Sequence, residues 1–148
     1  AHHVDPPPGI PECPPHPSAS PTCAKQCSNA DYPVDYAADK RLAKSAYVLK
    51  GEGPFQADIF AHGPIASGFL VHDDFPNYKS GVYQHTPGSS PLGNHAIEII
   101  GWGVENDVPY WLCKNSWNDK WGDGGFFKIL RGSNECNIEL NGAAGTTL

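Results

Sequence analysis

The chain has 148 residues, begins with Ala1 and contains no methionine. Both features are expected of a portion of a longer protein, either a fragment or a processed piece. No run approaches the ~18 apolar residues of a membrane helix, which argues against a membrane-spanning protein. No secretory leader is visible either, which in a partial chain carries no information about location. Basic residues are scarce: 10 Lys and Arg stand against 16 Asp and Glu, a net charge of −6. A nucleic-acid partner would want a basic stripe, so none is expected. Charged residues make up only 18%, whereas Gly and Pro number 16 and 15. That balance favours a loop-rich, β-containing protein over a helical bundle. Protonation of the seven histidines would nearly neutralise the chain, which suits an acidic compartment.

Prolines crowd the first 33 residues, as Pro6-Pro7-Pro8, Pro11, Pro14-Pro15, Pro17, Pro21 and Pro33. They exclude helix interiors and central strands there. Cys13, Cys23 and Cys27 stand among them, which points to a stapled surface loop in an oxidising compartment rather than a disordered linker. Cys23-x-x-x-Cys27 has the look of a zinc half-site, but no second Cys or His pair follows at ligand spacing, so no metal is expected. The five cysteines are odd in number, so some disulfide partners are expected upstream of residue 1. His62, His72 and His85 are scattered without ligand spacing and read as surface or packing residues. The mixed charges between Asp31 and Leu49 read as a solvated surface.

Further on, Pro54 to Gly63 reads as a short helix, with Pro in its first turn and Gly just past its end. Strands are expected over 64–71, 81–85 and 126–130, with a tight turn at Gly122–Gly125. The most informative stretch runs from Asn94 to Trp117. Ile97 and Ile99 fall on one face and Glu98 and Ile100 on the other, the period of a strand. Glu105-Asn106-Asp107 supplies turn chemistry, and Pro109 opens a return strand. A hairpin of this kind can bring His95 and Asn115 together across 20 positions. An imidazole held by an amide is an oriented base looking for a nucleophile. Asparagine fixes one tautomer without a carboxylate's charge, which suits a histidine that shares a proton with a thiol. Trp117, two residues on, could keep water off that bond.

Gly-Asn-His-Ala, Gly-Trp-Gly, Asn-Ser-Trp and Trp-Gly-Asp-Gly-Gly-Phe-Phe occur in that order between Gly93 and Phe127. So ordered, they resemble the C-terminal half of papain-like cysteine peptidases. Gly63-Pro64-Ile65, Tyr78-Lys79-Ser80-Gly81-Val82-Tyr83 and Cys136-Asn137-Ile138-Glu139 extend the likeness. The resemblance implies an α+β papain-like fold, here mainly its antiparallel, β-barrel-like domain over residues 51–148, with a short helix. Residues 1–50 would form a Pro/Cys-rich disulfide loop and connector. It implies His95 and Asn115 as catalytic residues, and Trp117 as their shield and a wall of the S1′ site. Gly68, Ala96 and Asn141 would lie at the S2 pocket. His2-His3 before a Pro-rich stretch, Cys13 and Cys23-x-x-x-Cys27 resembles the occluding loop of the cathepsin B branch. By that resemblance His2 and His3 bind a substrate's C-terminal carboxylate, giving release of C-terminal dipeptides besides endopeptidase cleavage. Asn141 stands where relatives that accept P2 arginine carry an acid, so an apolar P2 residue is expected.

The family's nucleophile setting, Cys-Gly-Ser-Cys-Trp, is absent, as are the oxyanion-hole donors beside it. In that family the His and Asn come ~130–150 residues after the Cys, which puts the nucleophile before Ala1. Cys113 shares a strand face with Asn115 but lacks a helix N-terminus to lower its pKa. The expected whole is thus a thiol peptidase of the lysosome, endosome or extracellular space, acting on peptides or proteins without a cofactor. Its partners would be the missing N-terminal half and propeptide or protein inhibitors, and this chain alone should be inactive. A non-catalytic homologue acting as a binding module is the alternative, and a Cys/His metal-binding protein a more distant one.

Overall fold

The structure, a computed structural model, describes residues 22–147; His2, His3, Cys13 and the prolines up to Pro21 lie outside the described residues. The chain divides after Leu42 into two compact units. Residues 22–42 are built from turns. The Asp35 carboxylate accepts the N–H groups of Ala37 and Ala38, and the Tyr32 hydroxyl donates to Asp39.

The second unit holds strands β1 (Ala43–Leu49), β2 (Ile65–His72), β3 (Val82–Tyr83), β4 (Pro91–Glu105), β5 (Val108–Lys114), β6 (Phe126–Leu130) and β7 (Gly142–Thr147). Helix α1 (Glu52–His62) lies between β1 and β2. The sheet order is β1-β7-β2-β4-β5-β6-β3. All neighbours are antiparallel except β3 and β6, which run parallel. The sheet is open, but it coils. Residues 91–99 of β4 pair with β2 and residues 98–105 pair with β5, with irregularities between Val71 and His72 and between Ile99 and Gly101. One long strand thus belongs to two hairpins, and bulges increase its twist. The result is the expected papain-like α+β architecture.

Alternation along β2 buries Ile65, Ser67, Phe69 and Val71, and along β4 it buries Ile97 and Ile99. Phe55 and Ile59 of α1 turn inward, where the Phe55 ring lies 5.8 Å from Trp111. Gly63 ends α1 at φ 100°, a conformation that favours glycine, and its N–H bonds to the Ile59 carbonyl at 3.0 Å. Arg131 at the end of β6 pairs with Glu52 in the first turn of α1.

The turn that leads from β6 into β7 is held by a buried acid. The Glu139 carboxylate accepts from the Trp111 indole (2.9 Å) and from the N–H groups of Gly132 (2.6 Å) and Asn134 (3.0 Å). Its backbone carbonyl accepts from Gly51 just before α1. Glu139 therefore ties β5 and the β6–β7 turn together through its carboxylate, and the start of the helix through its backbone carbonyl.

Candidate active site

His95 lies in β4, directly opposite Phe69 of β2, and the Phe69 ring packs 6.1 Å from the imidazole. Asn115 follows the last residue of β5, and its backbone N–H bonds to the Gly125 carbonyl at 3.0 Å. The pairing of Glu98 with Lys114 and of Ile99 with Cys113 sets the end of β5 beside the middle of β4. His95 Nε2 then lies 2.8 Å from Asn115 Oδ1.

The backbone N–H of Ser116 donates to that same Oδ1 at 2.8 Å. Because a backbone N–H can only donate, the amide's orientation is fixed and Oδ1 must accept from the ring as well. His95 therefore carries a proton on Nε2, and in the neutral ring Nδ1 is the basic nitrogen. Asn115 Nδ2 is buried and has no partner among the described residues.

Trp117 covers the pair. Its ring lies 5.2 Å from the imidazole at 32°. It is held in turn by Phe75 at 5.5 Å and Trp121 at 4.9 Å, both edge to face. Phe75, Trp121 and Phe127 make a buried aromatic cluster beneath. A half-buried hydrogen bond under an indole is less open to competition from water. The Trp121 indole donates to the Pro76 carbonyl, so the cluster's position is fixed.

The three residues expected at the S2 pocket fall in one cross-strand row. Gly68 pairs with Ala96, and both are exposed. Ser67 pairs with Gly142, so Asn141, immediately before β7, extends the register toward Gly68. Period-2 alternation puts this row on the face opposite Phe69 and Ile97. A β-carbon added at Gly68 would meet only the His95 carbonyl, at 3.6 Å.

Both cysteines in residues 43–147 have their thiols pushed above the ordinary value. Cys113 is fully buried, and burial pushes its thiol well above the ordinary value. Cys136 is pushed up to about 12, first by burial and then by the charge of Glu135. In the other unit, the backbone N–H of Lys25 and then the Tyr36 hydroxyl hold the exposed Cys23 thiol below its usual value. Cys23, Cys27, Cys113 and Cys136 are all free thiols.

Sequence reasoning missed two groups. Glu139 was read only as part of a closing segment, because nothing in a sequence marks a carboxylate as the hub of three donors. His72 and His85 read as scattered surface or packing residues and Cys136 as part of the closing segment, yet their ligand atoms lie within 4.8 Å of one another. They come from the end of β2, the segment after β3 and the β6–β7 turn, and no local spacing could reveal that meeting.

Residues 10–146 match the papain family of cysteine proteases. The chain is 50% identical over 130 residues to cathepsin B-like cysteine proteinase 4 of Caenorhabditis elegans, covering 87% of this chain and 38% of that protein. It is 50% identical over 129 residues to the gut-specific cysteine proteinase of the same organism, covering 86% and 39%. Among solved structures, procathepsin B S9 from Trypanosoma congolense superposes with a TM-score of 0.77 at 36% identity, covering 95% of this chain and 47% of that one. Digestive procathepsin L2 from the larval midgut of Tenebrio molitor gives 0.68 at 34% identity, covering 76% and 37%. The chain thus spans well under half the length of the curated relatives it matches. With a match that runs through both strands of the His95–Asn115 hairpin and the Trp-rich end, the chain belongs to the papain family of cysteine proteases.

Proposed function

We propose that the chain is the C-terminal part of a cathepsin B-like thiol peptidase and supplies the base half of its site. The observation that carries this reading is the His95–Asn115 bond at 2.8 Å, with its direction set by the Ser116 N–H. A cysteine upstream of Ala1 would place its thiol against His95 Nδ1. The imidazole takes the thiol proton, and the thiolate attacks the substrate carbonyl carbon. The resulting imidazolium keeps its Nε2–H on Asn115 and gives the Nδ1 proton to the leaving amine as the C–N bond breaks. Water then hydrolyses the acyl-enzyme, with His95 again as base. Trp117 shields the pair and walls the S1′ side, and the oxyanion donors belong with the nucleophile.

In this reading residues 1–50 are the occluding loop and connector, and His2 and His3 hold the C-terminal carboxylate of a substrate through charge-assisted bonds. Gly68, Ala96 and Asn141 border the S2 pocket and favour an apolar P2 residue over arginine. The enzyme would act in lysosomes or endosomes or after secretion. Its partners would be peptide substrates and a propeptide, the latter supported by the procathepsin relatives.

The test is to label the full-length protein with a thiol-directed epoxide and map the modified residue. The expected site is a cysteine upstream of Ala1. Labelling at Cys23, Cys27, Cys113 or Cys136 would overturn the assignment. A full-length protein with no cysteine at the upstream position would be the non-catalytic binding module instead.

A further inference from the structure

Away from His95, the end of β2, the segment after β3 and the β6–β7 turn converge on a second group of chemistry-bearing side chains. The His72 and His85 rings stack with centroids 4.5 Å apart at 33°. Cys136 Sγ lies 3.9 Å from His85 Nδ1 and 3.4 Å from Glu135 Oε1. The ligand atoms of His72, His85 and Cys136 all fall within 4.8 Å of one another. We propose that His72, His85 and Cys136 form a three-ligand binding site for a borderline-soft divalent metal ion of the Zn2+ class, with water in the fourth position.

The donor set suits that ion. Two imidazoles and a thiolate are ordinary ligands of that ion, and the thiolate together with the neighbouring Glu135 carboxylate balances a charge of +2. With metal–nitrogen distances near ~2.0 Å and metal–sulfur near ~2.3 Å, tetrahedral ligand atoms sit roughly 3.3–3.7 Å apart. The Sγ–Nδ1 separation of 3.9 Å is already close to that, while Glu135 Oε1, 2.6 Å from His85 Nδ1, stands beside the ligands as a charge partner. Closing the widest gap needs a shift of about 1 Å, within reach of a rotamer adjustment at the exposed His85.

The ligands are also held from outside. Ser89 Oγ lies 2.9 Å from His72 Nδ1 and fixes that ring, an outer contact of the kind metal-binding histidines use. Glu135 accepts the backbone N–H of His85 at 2.9 Å, which pins the segment carrying the second imidazole. Cys136 is held at φ 49° between Asn134 at 54° and Asn137 at 65°. A cysteine rarely adopts this left-handed backbone, and the Glu139 carboxylate holds the turn by accepting the Asn134 N–H. The turn thereby aims a thiol at two histidines. A lone Glu135–His85 ion pair would account for one of the three ligands, but not for the second imidazole or the thiol. Bound metal would join β2, the segment after β3 and the β6–β7 turn directly, whereas the sheet links β2 to β3 only through β4, β5 and β6.

The experiment is titration of the full, untagged 148-residue chain with Co2+, a coloured substitute for Zn2+, followed by displacement with Zn2+. The expected result is one equivalent bound, with a thiolate-to-cobalt charge-transfer band in the near ultraviolet. Cys136→Ser should abolish that band, and His72→Gln should weaken binding at least tenfold. A Cys23→Ser/Cys27→Ser variant and a His95→Gln variant should both keep it. Circular dichroism checks that each variant is folded. If Cys136→Ser fails to fold, His72→Gln decides: unchanged affinity overturns the site. No charge-transfer band in the parent chain, a band that survives Cys136→Ser, or one lost with Cys23 and Cys27 would also overturn it.

Discussion

The roles proposed for His95 and Asn115 rest on one donor that cannot be reversed, the N–H of Ser116. It fixes Oδ1 as the acceptor, and through Oδ1 it fixes which imidazole nitrogen is basic. Asn115→Ala in the full-length enzyme would free the ring to rotate and to take either tautomer. The expected outcome is a fall in kcat of about tenfold or more with KM little changed, read from steady-state kinetics, while His95→Ala removes the base altogether. Glu139→Gln should cost about 1–3 kcal/mol, because its NH2 group would face one of the N–H donors the carboxylate now accepts. Urea denaturation measures that loss. The pair was legible in the sequence because His95 and Asn115 sit in short motifs with strand periodicity between them. Glu139 was not, since its partners Trp111, Gly132 and Asn134 are assembled only by the fold.

At the scale of elements, the hairpin β4–β5 positions the pair and the turn before β6 clamps it. Gly125 stands at φ 90°, its carbonyl accepts the Asn115 N–H, and a β-carbon there would lie 3.2 Å from the Asn118 carbonyl oxygen. Gly125→Ala should destabilise by about 1 kcal/mol or more and lower activity beyond what stability explains, checked by comparing thermal unfolding with kinetics. Asp74 ties the turn at Phe75–Asn77 to β3 and beyond, accepting from Tyr83 and from the Thr86 N–H at 2.7 Å each. Burial alone would raise its pKa, but those hydrogen bonds outweigh it and hold the carboxyl below its ordinary value. The stabilisation is full above the unfolded carboxylate value of about 4 and is lost as pH falls through the lower folded value. Asp74→Asn should therefore flatten the loss of stability between neutral and strongly acidic pH, measured by denaturation at each pH.

The strands that escaped the sequence reading are those whose reasons lie elsewhere in the chain. β7 is Gly-Ala-Ala-Gly-Thr-Thr, poor in strand formers, and β1 is mostly exposed; each is a strand because the other pairs with it across about a hundred residues. β4 starts at Pro91, in a stretch rich in Pro, Gly and Ser, because β2 offers a ladder as far as His72. By contrast, α1, β2, β5 and β6 carried their own periodicity or end signals.

On the scale of the whole molecule, the proposed site is divided between this chain and a segment outside it. The exposed row of Gly68 and Ala96, extended by Asn141, predicts that the full enzyme cleaves a Phe-Arg substrate faster than an Arg-Arg one, read as the ratio of kcat/KM. The central claim is that His95 serves a thiol beyond this sequence. Its most direct test compares hydrolysis of a peptide amide by the 148-residue chain, by the full-length protein and by full-length His95→Ala, each with and without a thiol-directed epoxide. The account predicts epoxide-sensitive turnover in the full-length protein alone. Epoxide-sensitive turnover by the isolated chain, or full activity in His95→Ala, would contradict it.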